Sequence, residues 1–122
     1  MLAALIIIEV NKSSHPGTHL KSPHSIMGLV TYILVFLQAA AGVTQFFFPQ
    51  VYGSEENAKK VYKYHRMSGY AIFALLCATV CAATWTDYNI TTLQIHHWSV
   101  IVASIILLAG LYARIKKEKL GL

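Results

Sequence analysis

Two histidines stand in matching settings, each at the head of a long apolar run. His24 opens His-Ser-Ile-Met-Gly and His65 opens His-Arg-Met-Ser-Gly, so each has a glycine four residues on. On a helix that spacing is about one turn, and it stacks His and Gly on one face. A ring nitrogen of such an imidazole can ligate iron, and the bare backbone beside it leaves room for the edge of a flat macrocycle. The competing reading is an interfacial histidine hydrogen-bonded to water or lipid headgroups. A histidine at membrane depth needs a partner, which makes this repeat the chief functional clue in the chain.

The elements that would carry these histidines are legible from composition. The chain has 122 residues, of which 56% are hydrophobic and 12% charged. That is short for two globular domains and apolar for one. Its apolar residues come in runs of membrane-spanning length. No Asp, Glu, Lys or Arg interrupts Ile26 to Phe48, Met67 to Thr86, or Trp98 to Ala113. The expectation is an all-α polytopic membrane protein with three full transmembrane helices, at about residues 26–48, 64–86 and 94–113. The opening segment, Met1 to Val10, lacks the basic head of a signal peptide and reads as the end of a preceding helix. Residues 1–115 would form the membrane domain, and 116–122 a basic tail.

Local signals mark the ends of these elements. Ser22 is a candidate N-cap with Pro23 in the first turn. Pro49 stops the run that ends in Phe46-Phe47-Phe48. Gly53 makes a turn, and Ser54-Glu55-Glu56 starts a helix that runs unbroken into the second span. Trp85, Tyr88 and Trp98 are belt residues. Gln38 and Gln45 lie two turns apart on one face, where buried amides meet another helix or a cofactor. The run Ala39-Ala40-Ala41-Gly42 permits close helix approach.

Charge orients the chain. Of its ten basic residues, Lys59, Lys60, Lys63, Arg66, Arg114, Lys116, Lys117 and Lys119 fall on one side, leaving Lys12 and Lys21 on the other. The positive-inside rule makes the first side, and the C-terminus, cytosolic. Asn89-Ile90-Thr91 and Asn11-Lys12-Ser13 are sequons on the outer side. Because the basic residues follow a membrane rule, nucleic-acid binding is not expected. Adjacent spans run antiparallel and each histidine sits near the N-terminus of its span, so His24 and His65 should lie near opposite membrane faces. Two sites at opposite depths suit a relay across the bilayer.

Other candidates carry blander readings. Cys77 and Cys81 are small packing residues. His15, His19 and His24 have ligand-like spacing, yet no cysteine or carboxylate joins them, and His15 and His19 read as polar loop residues. His96 and His97 are adjacent and cannot share one helix face. Lys59, Lys60, Lys63 and Arg66 are topology determinants or, alternatively, a basic mouth for an anion. No phosphate loop, Ser/His/Asp set or pair of catalytic carboxylates is present.

The segment His19-Leu20-Lys21-Ser22-Pro23-His24-Ser25-Ile26-Met27-Gly28, with Thr31 and Gln38-Ala39-Ala40-Ala41-Gly42 after it, resembles the entry to the fourth helix of the cytochrome b561 family. Tyr64-His65-Arg66-Met67-Ser68-Gly69-Tyr70 resembles the start of that family's fifth helix, and the spacing between the two agrees. The likeness covers about residues 1–115 and is nearest to the short members that act as transmembrane ascorbate-dependent ferrireductases.

The resemblance implies the last part of a six-helix bundle holding two b-type haems, each bound by two histidines. His24 matches the fourth-helix ligand of the outer haem and His65 the fifth-helix ligand of the cytosolic one. His19 aligns near the outer haem edge or acceptor site; Arg66, beside the ligand candidate His65, is the residue of the basic mouth best placed to meet ascorbate or a haem propionate. The implied activity is oxidoreductase: electrons pass from cytosolic ascorbate to ferric iron or monodehydroascorbate outside, in an endomembrane or plasma membrane. The family's partner histidines, on its second and third helices, have no counterpart here. The expectation is therefore a piece of a longer product, completion by a second chain or homodimer, or loss of two-haem binding. The alternative is a non-catalytic three-helix membrane scaffold or subunit.

Overall fold

A computed structural model describes residues 2–14 and 20–116. His15, His19 and Lys117 to Leu122 lie outside the described residues. The described residues form helices and turns, with no strand among them. In chain order the α-helices are α1 (Leu2–Ser13), α2 (Pro23–Phe47), α3 (Glu55–Ala83) and α4 (His97–Tyr112).

Helix α2 starts where its cap dictates. The Ser22 hydroxyl accepts the backbone N–H of Ser25 at 3.1 Å, and Pro23 occupies the first turn. The helix ends at Phe47, and a short 3-10 turn, Pro49–Tyr52, reverses the chain. Gly53 takes φ 84°, a conformation that glycine adopts without steric cost. Ser54 then caps α3 by accepting the Asn57 N–H at 3.2 Å, with Glu55 and Glu56 in the first turn. Helix α3 has 29 residues and spans about 43 Å at 1.5 Å per residue, so its charged first turns reach past a hydrocarbon core of about 30 Å.

Helices α2 and α3 pack as an antiparallel hairpin, and α4 returns antiparallel along α3. Cys81 meets Ser104 at 3.4 Å, and Trp85 meets His97 nearer the turn. Both α2 and α3 are long and apolar enough to cross a membrane. Helix α4 has 16 residues and begins at His97, not near 94 as expected. The delay has a local cause. Gln94 takes the left-handed conformation at φ 53°, and Asn89 ties the preceding turn shut. The Asn89 amide donates to the carbonyls of Thr84 (2.8 Å) and Ile95 (3.0 Å), and its oxygen accepts the Ile95 N–H. Asn89 is buried and its side-chain nitrogen is engaged, so the Asn89 sequon does not present a free amide in the folded chain.

Burial is reversed relative to a water-soluble protein. The buried side chains among the described residues are mostly polar or small: Thr31, Gln45, Thr79, Thr84, Asn89 and Ser104, with Ala58 and Cys77. Phe36, Leu37, Val43, Val80, Ile105 and Ile106 face outward. A surface this apolar would aggregate in water and is at home in lipid, where small and polar residues mediate helix packing. Helix α1 follows the same pattern, with Ile6, Ile7, Ile8 and Val10 exposed.

Candidate haem-ligand sites

The inner seam of α2 repeats at alternating intervals of four and three: His24, Gly28, Thr31, Val35, Gln38, Gly42 and Gln45. That period keeps one stripe against a neighbouring helix. Both histidines lie on the α2–α3 seam rather than on the lipid face.

At one end, the His24 imidazole reaches α3, with Nδ1 3.0 Å from the Thr79 carbonyl oxygen. A carbonyl only accepts, so Nδ1 donates; in the neutral ring, Nε2 then carries the lone pair. The Thr79 hydroxyl donates to the Leu75 carbonyl at 2.8 Å and is therefore the acceptor for the Thr31 hydroxyl at 3.1 Å. These bonds fix the register of the two helices where His24 is held. Gly28 admits the Thr79 methyl, which would lie 3.8 Å from a Cβ there.

At the other end, His65 packs against α2 at Gly42. A Cβ on Gly42 would come within 3.2 Å of His65 Cε1 and 3.4 Å of Nε2. The His65 Nδ1 is buried with no hydrogen-bond partner. Gln38 holds the backbone beneath the ring: its amide donates to the His65 carbonyl, and its oxygen accepts from the Ser68 hydroxyl at 3.0 Å. Gly69 makes room for that amide, whose nitrogen would sit 3.0 Å from an added Cβ. Tyr62 approaches the imidazole edge-on, ring centres 6.5 Å apart. Arg66, next along α3, is half-buried.

The glycines thus do something other than the sequence suggests. Gly28 and Gly69 serve the helix–helix contact, and the glycine that lies against His65 is Gly42, on the neighbouring helix. Thr79 carries no distinguishing signal in the sequence, and Asn89 stands out there only as a sequon. Thr79 acts through its main chain, which any residue could supply, and Asn89 acts through a turn that forms only when α4 folds back.

The two imidazoles are far apart in height. From His65 to Thr79, the level of His24, the rise along α3 is about 21 Å; from His24 to Gly42 along α2 it is about 27 Å. No group of three or more His, Cys, Asp or Glu among the described residues could hold a bare metal ion. A single imidazole with its Nδ1–H anchored on a carbonyl is instead the usual form of an axial haem ligand. His24 has that form, while His65 offers a buried ring, an unpartnered nitrogen and a glycine beside Nε2. The residues therefore suit one axial position at each site.

This architecture defines an integral, all-helical membrane protein with one imidazole near each end of an antiparallel hairpin. The family model for eukaryotic cytochrome b561 matches residues 1–87, and the chain belongs to that family. Its members transfer electrons across membranes through b-type haem. No curated protein and no solved structure matches the chain.

Proposed function

We propose that this chain takes part in transmembrane electron transfer from cytosolic ascorbate to ferric iron or monodehydroascorbate on the outer side, with His24 and His65 each giving one axial ligand to a b-type haem. The observation that carries this reading is the pair of inward-facing imidazoles separated by about 20 Å along one hairpin. Bound haem supplies reversible one-electron storage, tuned by axial ligands and burial. The chain's own residues set position. Thr79 fixes the His24 tautomer through its carbonyl, leaving Nε2 for iron. Gln38 and Ser68 hold the backbone at His65, and Gly42, lacking a Cβ, lets the imidazole pack close against α2. The apolar outer faces of α2 and α3 exclude water between the two levels.

Lys59, Lys60, Lys63 and Arg66 would form the cytosolic, donor-facing end. Lys60 pairs with Glu56 at 3.0 Å on an exposed face, which leaves the local balance positive and suited to an anionic reductant. His19 would stand near the outer haem edge. The ligands opposite His24 and His65 would come from the rest of a longer product, from a second polypeptide or from a second copy of the chain.

The test is optical. The full chain, reconstituted with haem in lipid nanodiscs, should show the reduced α-band of histidine-ligated b haem. His24→Ala and His65→Ala should each remove a different part of it. Two unchanged spectra would exclude both residues as ligands, and no band at all would leave the chain as a membrane scaffold.

A further inference from the structure

Four buried side-chain atoms among the described residues lack a hydrogen-bond partner: Tyr32 Oη, Gln45 Oε1, His65 Nδ1 and His97 Nδ1. Two of them belong to the same end of the hairpin. His65 lies against Gly42, and Gln45 follows Gly42 by three residues on the same face of α2, a rise of about 4.5 Å. Tyr32 is about 15 Å along α2 from Gly42, and His97 sits at the opposite end against Trp85. The two neighbouring orphans are chemically complementary. An amide oxygen only accepts, and an imidazole Nδ1 donates whenever it carries the proton. Gln45 is only 4% exposed, so water from outside does not satisfy its oxygen. A buried unsatisfied pair of this kind is unfavourable unless the two groups meet.

The His24 site shows what such a meeting achieves. There the Nδ1–H is held by the Thr79 carbonyl, and the lone pair is left on Nε2. At His65 no backbone carbonyl plays that part. Gln38, the other seam glutamine, is already committed to the His65 carbonyl and the Ser68 hydroxyl.

We propose that Gln45 is the positioning residue of His65: one buried water joins its side-chain oxygen to the imidazole Nδ1–H, and the lone pair is left on Nε2, on the edge of the ring that lies against Gly42. This water bridge does not depend on haem. Its consequence for haem binding rests on the ligand role of His65 proposed above. The two levels then use one device built from different parts, a main-chain carbonyl at His24 and a side-chain amide at His65.

The experiment separates the hydrogen bond from its consequence. The full chain, labelled with ¹⁵N-histidine and held in nanodiscs without haem, reports each tautomer by its ring nitrogen shifts. His65 should be the Nδ1–H tautomer. Gln45→Leu should lose that signal, and Gln45→Glu, which keeps an acceptor, should retain it. The His24 signal should stay fixed in both variants, which shows that the hairpin is intact. If Gln45→Leu disturbs His24, Gln45→Met keeps the side-chain length and serves in its place. A wild-type His65 in the Nε2–H form, or one indifferent to Gln45→Leu, overturns the proposal. In haem titrations, Gln45→Leu should weaken one site about ten- to a hundredfold and leave the other unchanged. Equal weakening of both sites overturns the site-specific role. Failure of the wild-type chain to take up haem overturns only the ligand role of His65.

Discussion

Gly42 and Gly110 are both helical glycines, and they should respond in opposite ways to a larger side chain. A Cβ on Gly42 already comes within 3.2 Å of the His65 ring, and that ring is fixed by its own helix. Gly42→Leu would force α2 and α3 apart or drive His65 from its rotamer, at a cost of about 1–3 kcal/mol. We expect earlier unfolding in mixed micelles, with loss of whatever haem signal depends on His65 and retention of the His24 component. Gly110 has nothing within 4 Å of its added Cβ. Gly110→Ala should be neutral or stabilising by about 0.5–1 kcal/mol, because it only removes the entropic penalty of a helical glycine. A similar cost for both variants in the same unfolding assay would show that close packing at Gly42 does not matter.

At the scale of elements, the turn between α3 and α4 depends on one residue. Asn89 makes three hydrogen bonds that close the turn from Thr84 to Ile95. Beyond it, Trp85 and His97 stack with rings 4.3 Å apart and 3° from parallel, so the start of α4 rests on the end of α3. Asn89→Ala removes all three bonds and should cost about 2–4 kcal/mol, taking each at about 1 kcal/mol. Hydrogen exchange at Ile95 should speed up, while exchange within α2 stays slow. Uniform acceleration over both regions would mean that the turn and the hairpin unfold as one unit. The α2–α3 hairpin needs no such clamp. It is held along its length by the Thr31–Thr79 and Gln38–His65 contacts, and its connection is short.

For the whole molecule, the sidedness of the chain is the feature that function depends on. The turn between α2 and α3 and the end of α4 lie at one end of the bundle, and the turn at Asp87 lies at the other. Single cysteines introduced at Gln50 and Lys116, with Cys77 and Cys81 replaced by alanine, should react with a membrane-impermeant maleimide from the cytosolic side. A cysteine at Asp87 should react only from the opposite side. Labelling of Gln50→Cys and Asp87→Cys from the same side would put His24 and His65 at one membrane face and remove the basis for a relay. The exposed apolar faces agree with a bilayer as solvent, since what the hairpin buries is chiefly its polar and small residues.

By itself the sequence determined the helices and their order. Run length, the Ser22 and Ser54 caps, and Pro49 and Gly53 between the spans are local signals, and local backbone chemistry answers to them. It also placed His24 and His65 at opposite ends, because each stands near the start of the apolar run of one of two antiparallel helices. It did not settle which atoms those histidines meet. The Thr79 carbonyl beside His24, Gly42 beside His65, and the unpartnered oxygen of Gln45 were decided by the rotation and register of α2 against α3. The break at Gln94 was decided by α4 folding back onto α3. Contacts of this kind join residues far apart in the chain, and they exist only once the helices have packed.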